Sequence, residues 1–165
     1  MENLQKSNTM LKYVDTLITF SEIPDEITLC INISNCPCKC PGCHSSYLAQ
    51  DVGEPLTVMD IARLLKQNKG VSCICFMGGD ASPKTINSIA TWVKSAYPDL
   101  KVAWYSGRQE LSKRINLRNF DYIKLGPYIK EFGPLTSKTT NQVLLKIDCI
   151  DGRYLINDIT SKFWK

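Results

Sequence analysis

Residues 27–43 read ITLCINISNCPCKCPGC, and this stretch predicts both the start of the fold and its chemistry. Large aliphatic side chains occupy every second position, at Ile27, Leu29, Ile31 and Ile33. That period is typical of a β-strand. Four of the eight cysteines of the chain follow within residues 36–43. The stretch therefore predicts a strand at about 27–34 that leads directly into a cysteine-rich loop.

The cysteine loop has the composition of a metal-binding loop. Cys36, Cys40 and Cys43 form a C-x3-C-x2-C pattern, and thiolates are the soft ligands that iron–sulfur clusters require. Two prolines restrict the loop, and Gly42 permits unusual backbone angles within it. Three thiolates for four irons leave one iron open, and an open iron can bind a substrate.

Cys38 lies inside the same loop and leaves an alternative open. Together with Cys36, Cys40 and Cys43 it could form a four-thiolate zinc site in a non-enzymatic interaction module. Structural zinc sites usually combine two C-x2-C pairs from separated segments. Only Cys40 and Cys43 have that spacing, and Cys73-x-Cys75 is a poor second pair. We therefore favour the cluster and expect Cys38 to point away from it.

Hydrophobic periodicity predicts alternating strands and helices along the rest of the chain. The predicted strands are at residues 13–20, 71–77, 101–105, 120–125, 142–147 and 153–157. Thr57 is a candidate N-cap with Asp60 as its capping-box partner, and that helix ends before Gly70. Ser82 and Pro83 begin a second helix that reaches about Ala96. A short third helix is predicted over 108–114.

Repeated strand–helix–strand units predict an α/β fold with parallel β/α units. A full eight-fold barrel needs about 250 residues, so 165 residues predict an incomplete, open TIM-like barrel of five or six units. Ligands bind at the carboxyl ends of parallel strands. Four loops are therefore expected to converge there: the cysteine loop, Gly78-Gly79-Asp80, Ser106-Gly107 and Gly126-Pro127.

Composition narrows the class of protein. The net charge of +4 is too small to indicate nucleic acid, no apolar run reaches the roughly 20 residues of a membrane span, and the N-terminus lacks a signal peptide. We therefore expect a cytoplasmic protein with one domain over 1–165 and loose residues 1–12.

The segment 101–130 is rich in basic residues. We interpret it as a solvated helix face and loop, or alternatively as a docking face for an acidic partner protein. Its basic residues are Lys101, Arg108, Lys113, Arg114, Arg118, Lys124 and Lys130.

The four remaining cysteines lie in apolar strand contexts: Cys30, Cys73, Cys75 and Cys149. We expect them to be small buried hydrophobic residues.

The C-x3-C-x2-C loop after an early strand resembles the cysteine motif of the radical S-adenosylmethionine (SAM) superfamily. Gly78-Gly79-Asp80, which follows a later strand, resembles the glycine-glycine-acid turn after the second strand of that superfamily. The resemblance narrows to the activating proteins of anaerobic ribonucleoside-triphosphate reductases. The stretches that carry it are Ser34-Asn-Cys36, Cys40-Pro-Gly-Cys43, AWYSG at 103–107, IKLGPY at 123–128 and TTNQ at 139–142.

This resemblance implies roles for individual residues. Cys36, Cys40 and Cys43 would hold a [4Fe-4S] cluster whose open iron is chelated by SAM. Gly78, Gly79 and Asp80 would receive the methionine amino group of SAM. Gly42 and His44 would flank the adenine, and Ser106 would lie near the ribose or the methionine tail.

The resemblance also implies an activity. Reductive cleavage of SAM would give methionine and a 5′-deoxyadenosyl radical, which takes a hydrogen atom from a backbone glycine of the large reductase subunit. A flavodoxin-like or similar low-potential carrier would donate the electron. Another glycyl-radical protein or a small molecule is the alternative substrate.

Overall fold

The computed structural model describes residues 10–164, and their central feature is one mixed sheet of eight strands. The strands are β1 (Lys12–Thr19), β2 (Thr28–Ile33), β3 (Glu54–Pro55), β4 (Cys73–Met77), β5 (Lys101–Tyr105), β6 (Tyr122–Leu125), β7 (Val143–Ile150) and β8 (Arg153–Asp158). Their order across the sheet is β3-β1-β2-β4-β5-β6-β7-β8. Strands β2, β4, β5 and β6 are parallel neighbours, whereas both flanks of the sheet are antiparallel.

The predicted TIM-like barrel of five or six parallel β/α units is therefore wrong. Residues 10–164 contain two α-helices, α1 (Val58–Gln67) and α2 (Pro83–Ala96), which connect β2 to β4 and β4 to β5. A parallel strand needs a long crossover, usually a helix. After β6 the chain has no helical crossover, and it pairs as the antiparallel strands β7 and β8. The sheet consequently stays open and mixed.

Both α-helices begin where the sequence predicted. The Thr57 side chain accepts a hydrogen bond from the Asp60 backbone N–H, and the Asp60 carboxylate accepts one from the Thr57 backbone, which completes a capping box. Helix α2 has Pro83 at its first turn. In α1, Ile61 and Leu64 are buried, whereas Val58 and Leu65 of the same face are half-buried. In α2 the buried residues are Ile86, Ile89, Ala90 and Val93.

The two faces of the sheet carry different side chains. One face packs against both helices and forms the main core, with Ile74 and Phe76 of β4 at its centre. The other face contains Cys73 and Cys75 of the same strand. Ile23 and the partly buried Phe163 pack over this second cluster. The second face is thus covered by a loop and by the short 3-10 helix Thr160–Phe163 rather than by α-helices.

The four parallel strands end at one edge of the sheet, as predicted. The cysteine loop follows β2, Gly78-Gly79-Asp80 follows β4, Ser106-Gly107 follows β5 and Gly126-Pro127 follows β6. Because these strands are neighbours in the sheet, the four loops lie side by side. Residues at or next to all four of these segments line a common cleft at this edge.

Two local predictions fail. No helix forms over 108–114, where the chain makes bends and turns, and a 3-10 helix appears instead at Leu117–Asn119. The prediction of loose residues 1–12 falls largely outside the described residues. Of the remainder, Leu11 is buried and its backbone oxygen accepts a hydrogen bond from Leu56, so this part is anchored.

No helix within residues 10–164 combines the length and the apolar character that crossing a membrane requires.

The capping box provides a test of the fold. We expect Thr57→Ala to lower the free energy of unfolding by about 1 kcal/mol, because it leaves the Asp60 N–H and one end of α1 without a side-chain partner. Urea denaturation followed by circular dichroism measures this change. Ser88→Ala is the control, since Ser88 lies on the exposed surface of α2. An equal loss in both variants would contradict the cap assignment.

Candidate metal centre

The cysteine loop is anchored at its start by backbone hydrogen bonds. The N–H of Asn35 donates to Gln50 O at 2.9 Å, and the N–H of Cys36 donates to Leu48 O at 2.8 Å. The loop then turns at residues with positive φ, namely Asn35, Lys39 and Gly42. These turns fold the four cysteines of the loop back toward the edge of the sheet, where all four are half-buried.

The thiols of Cys36, Cys40 and Cys43 line a cleft of about 150 Å³ at the carboxyl edge of the parallel strands. The same three residues also line a second cavity of about 190 Å³ beneath the loop. Three soft donors on one short loop, with space beside them, fit the ligand requirement of an iron–sulfur cluster. The predicted ligand set is therefore compatible with the structure, and Cys36, Cys40 and Cys43 are the residues that would hold the cluster.

Distances between ligand atoms separate a cluster from a single zinc ion. Zn–S bonds of about 2.3 Å in a tetrahedron place the sulfurs roughly 3.8 Å apart. Among residues 10–164, one group of three His, Cys, Asp or Glu ligand atoms lies within 4.8 Å of one another, and it consists of Cys36, Cys38 and Asp80. Cys40 and Cys43 do not belong to this group. The four thiols of the loop are thus not gathered around one point, which counts against the four-thiolate zinc site.

Cys38 takes a different position from the other cysteines of the loop. Its Sγ lies 3.7 Å from Asp80 Oδ2, in hydrogen-bonding range for a thiol donor. Burial, together with the nearby charges of Asp80 and Cys36, raises the pKa of the Cys38 thiol to about 12. Cys38 also lines the cleft. The thiol therefore points toward the carboxylate of Asp80.

Asp80 links three of the loops. Its Oδ1 accepts a hydrogen bond of 2.6 Å from the Ser106 hydroxyl, and its Oδ2 accepts one of 2.9 Å from the Gly107 N–H. Asp80 and Ser106 are both buried. These bonds hold the carboxylate at a defined place in the wall of the cleft, next to the cysteine loop.

The glycines before Asp80 are required by close contacts. Gly78 has a φ of +104°, and a Cβ there would lie 2.9 Å from the backbone oxygen of Ile33. The indole Nε1 of Trp104 donates to Gly78 O at 2.7 Å. The turn after β4 thus packs directly on the end of β2, which brings Asp80 close to the cysteine loop.

The structure brings together some of the predicted SAM-contacting residues. Gly78, Asp80 and Ser106 line the cleft, but Gly79, Gly42 and His44 do not. His44 is exposed and lies beside the Tyr128 ring, with 6.1 Å between ring centroids. Tyr128 itself lines the cleft, whereas His44 does not.

Sequence reasoning missed Lys124 and Tyr105 as residues of the cleft. Lys124 was read as part of a solvated basic surface, but it is 9% exposed. Burial lowers the pKa of its ammonium group, and the cysteines and Asp80 around it act in the opposite direction. The signal available in the sequence was its place on β6, two residues before the Gly126-Pro127 turn.

The sequence model of one protein family, the 4Fe-4S single cluster domain, matches residues 27–161. The chain belongs to this family. The matched range contains every strand of the sheet except β1, and it includes all the loops that form the cleft. Membership shows an iron–sulfur protein with a 4Fe-4S cluster, which is compatible with a redox function. No curated protein and no solved structure matches the chain.

The cysteines outside the loop play a packing role. Cys30, Cys73 and Cys75 are buried in the second face of the sheet, as predicted. Burial raises the pKa of the Cys73 and Cys75 thiols, which favours their protonated form. Cys149 is exposed on β7, and the prediction that it is buried is wrong.

The hydrogen bond between Ser106 and Asp80 provides a test of the site's architecture. We expect Ser106→Ala to lower the free energy of unfolding by about 1.5–3 kcal/mol, because a buried carboxylate loses a charge-assisted donor. Denaturation of anaerobically purified protein measures the loss. Ser137→Ala, which removes a half-buried hydroxyl that hydrogen-bonds within its own loop, is the control. A change below 0.5 kcal/mol in Ser106→Ala, taken as about the size of an ordinary surface effect, would contradict the arrangement.

Proposed function

We propose that this protein is a radical SAM enzyme that generates a glycyl radical on a partner protein. Its cluster would be held by Cys36, Cys40 and Cys43 and would leave one iron for SAM. The observation that carries the proposal is the placement of three thiols and one fixed carboxylate, that of Asp80, in a single cleft. A cluster that only transfers electrons needs no such carboxylate beside it.

The protein's own residues would bind and orient the SAM. When bound, a [4Fe-4S] cluster with an open iron supplies the single electron that cleaves the SAM carbon–sulfur bond into methionine and a 5′-deoxyadenosyl radical. Asp80 would accept hydrogen bonds from the methionine ammonium, since a carboxylate is its natural acceptor. Ser106 and Gly107 would keep Asp80 in place for that contact through the bonds that they donate to it.

The cleft suits a protein substrate better than a small molecule. The cysteine loop lies at the surface, with Pro37, Lys39, Pro41 and Gly42 all exposed. After β6 the sheet turns antiparallel, and no further β/α unit encloses the cleft within residues 10–164. An extended backbone loop that presents a glycine could therefore reach the site from outside.

The sequence resemblance suggests the partner. The stretches at 103–107, 123–128 and 139–142 are those of activating proteins for anaerobic ribonucleoside-triphosphate reductases, and two of them contribute to the cleft wall through Tyr105 and Tyr128. We therefore propose the large subunit of such a reductase as the protein substrate. A low-potential carrier such as a flavodoxin would supply the electron.

The ligand assignment is tested by iron and sulfide analysis after anaerobic purification and reconstitution. We expect about four irons and four sulfides per wild-type chain. Cys36→Ser, Cys40→Ser and Cys43→Ser should each lose most of the cluster, because each removes a thiolate that binds a separate iron.

Two matched variants serve as controls for this experiment. Cys38→Ser should retain the cluster, because the wild-type Cys38 thiol is directed at the Asp80 carboxylate as a hydrogen-bond donor. Cys149→Ser should retain it as well, because the Cys149 thiol is exposed on β7. Loss of iron in Cys38→Ser, with iron kept in one of the three ligand variants, would show that the ligand set is wrong. A colourless wild-type protein with one zinc would overturn the proposed function.

SAM binding is tested with Asp80→Asn. We expect the variant to keep its iron and to bind SAM about 10–100-fold more weakly, which corresponds to the loss of a hydrogen bond between charged groups. Equilibrium binding with labelled SAM measures the affinity, and 5′-deoxyadenosine released with dithionite measures the cleavage. Asp99→Asn, an exposed aspartate at the other end of the sheet, is the control. An unchanged affinity in Asp80→Asn would remove this residue from the SAM site.

A further inference from the structure

Lys124 is a buried cation in the floor of the cleft. Its residue is 9% exposed, although it carries a charged side chain. The ammonium donates a hydrogen bond of 2.7 Å to Gly126 O and approaches Ser106 O at 3.4 Å. It thereby bridges the loops that follow β5 and β6, and its position at the carboxyl end of β6 is fixed by two backbone oxygens.

Among the described residues, the ammonium has no ion-pair partner within 4.0 Å. The ion pairs found in residues 10–164 involve other lysines and one arginine, and no carboxylate oxygen lies within 4.0 Å of Lys124 Nζ. Buried charges in proteins are normally paired, because burial costs several kcal/mol per ion. Two neutral carbonyls satisfy hydrogen bonds of the ammonium but do not neutralise its charge.

Most of the groups of opposite charge that act on Lys124 belong to the candidate metal centre. Cys40, Asp80, Cys38 and Cys43 act on its ammonium, and so does Glu22 in the segment after β1. On the remaining side lies the Tyr105 ring, whose centroid is 6.0 Å from Nζ. The charge of Lys124 is therefore directed at the place where the thiolates would hold the cluster.

We propose that Lys124 is the electrostatic partner of the cluster and raises its reduction potential. This inference rests on the cluster assignment in the proposed function but not on SAM cleavage. A cluster held by thiolates is anionic and gains one further negative charge on reduction. A nearby positive charge stabilises the reduced state more than the oxidised state, and net charge and hydrogen bonding around the cluster set its potential.

A purely structural role for Lys124 makes a different prediction. If the side chain served only to bridge Ser106 O and Gly126 O, a neutral donor of similar length would replace it. Lys124→Gln keeps N–H donors and removes the charge, Lys124→Met removes both, and Lys124→Arg keeps both. The three variants therefore separate charge from hydrogen bonding.

The experiment is a reductive titration of the reconstituted protein with dithionite, in which electron paramagnetic resonance follows the reduced cluster. We expect Lys124→Gln and Lys124→Met to have midpoint potentials more negative than that of the wild type, and Lys124→Arg to remain near it. Lys66→Gln is the control, since it removes the same charge from the exposed last turn of α1, away from the cleft. Iron and sulfide are measured for every variant.

Each outcome decides the inference. A Lys124→Gln potential equal to that of the wild type would overturn it, and so would the same shift in Lys66→Gln. Loss of the cluster in both Lys124→Gln and Lys124→Arg would also overturn it, since the role would then be packing. Cluster loss in Lys124→Gln with retention in Lys124→Arg would support it. A wild-type protein without a cluster would instead overturn the proposed function.

Discussion

The architecture of the site depends on a single constraint, the common edge at which four adjacent parallel strands end. Strands β2, β4, β5 and β6 are neighbours in the sheet, so the loops that follow them are held side by side by the backbone hydrogen bonds of the ladder. Each loop then needs to contribute only a few groups. Cys36 comes from the first, Asp80 from the second and Ser106 from the third. The ladder supplies the alignment that these short loops could not maintain alone.

Electrostatics adds a second level of organisation to this edge. The cleft combines thiols, the carboxylate of Asp80 and the ammonium of Lys124 within a partly buried space. Burial weakens the solvent screening of all three kinds of charge. Asp80 is satisfied by the hydroxyl of Ser106 and the N–H of Gly107, whereas Lys124 meets only carbonyls. This imbalance is consistent with a centre whose charge is completed by a bound anionic group.

The local elements were predictable because local chemistry determines them. The capping box at Thr57 and Asp60, Pro83 at the start of α2 and the strand before the cysteine loop all depend on residues close in the chain, and each appears as expected. The predicted barrel was wrong because the direction in which two strands pair, parallel or antiparallel, is not set by local sequence. The apolar pattern of the strand at 142–147 is the same whether it pairs parallel or antiparallel with its neighbour. Because no crossover helix precedes this strand, it pairs antiparallel with β6.

By itself the sequence determined the cysteine-rich loop after β2, the helix starts and the set of four loops expected to meet at one edge, because spacing and turn chemistry are properties of short segments. Only the tertiary structure decided that the sheet is mixed and open, that Cys38 turns toward Asp80 and that His44 stays outside the cleft. It also showed that Lys124 is buried. From sequence alone, a lysine on a strand is predicted to be exposed to solvent. Its burial depends on contacts with loops that are far away in the chain, and only the tertiary structure shows those contacts.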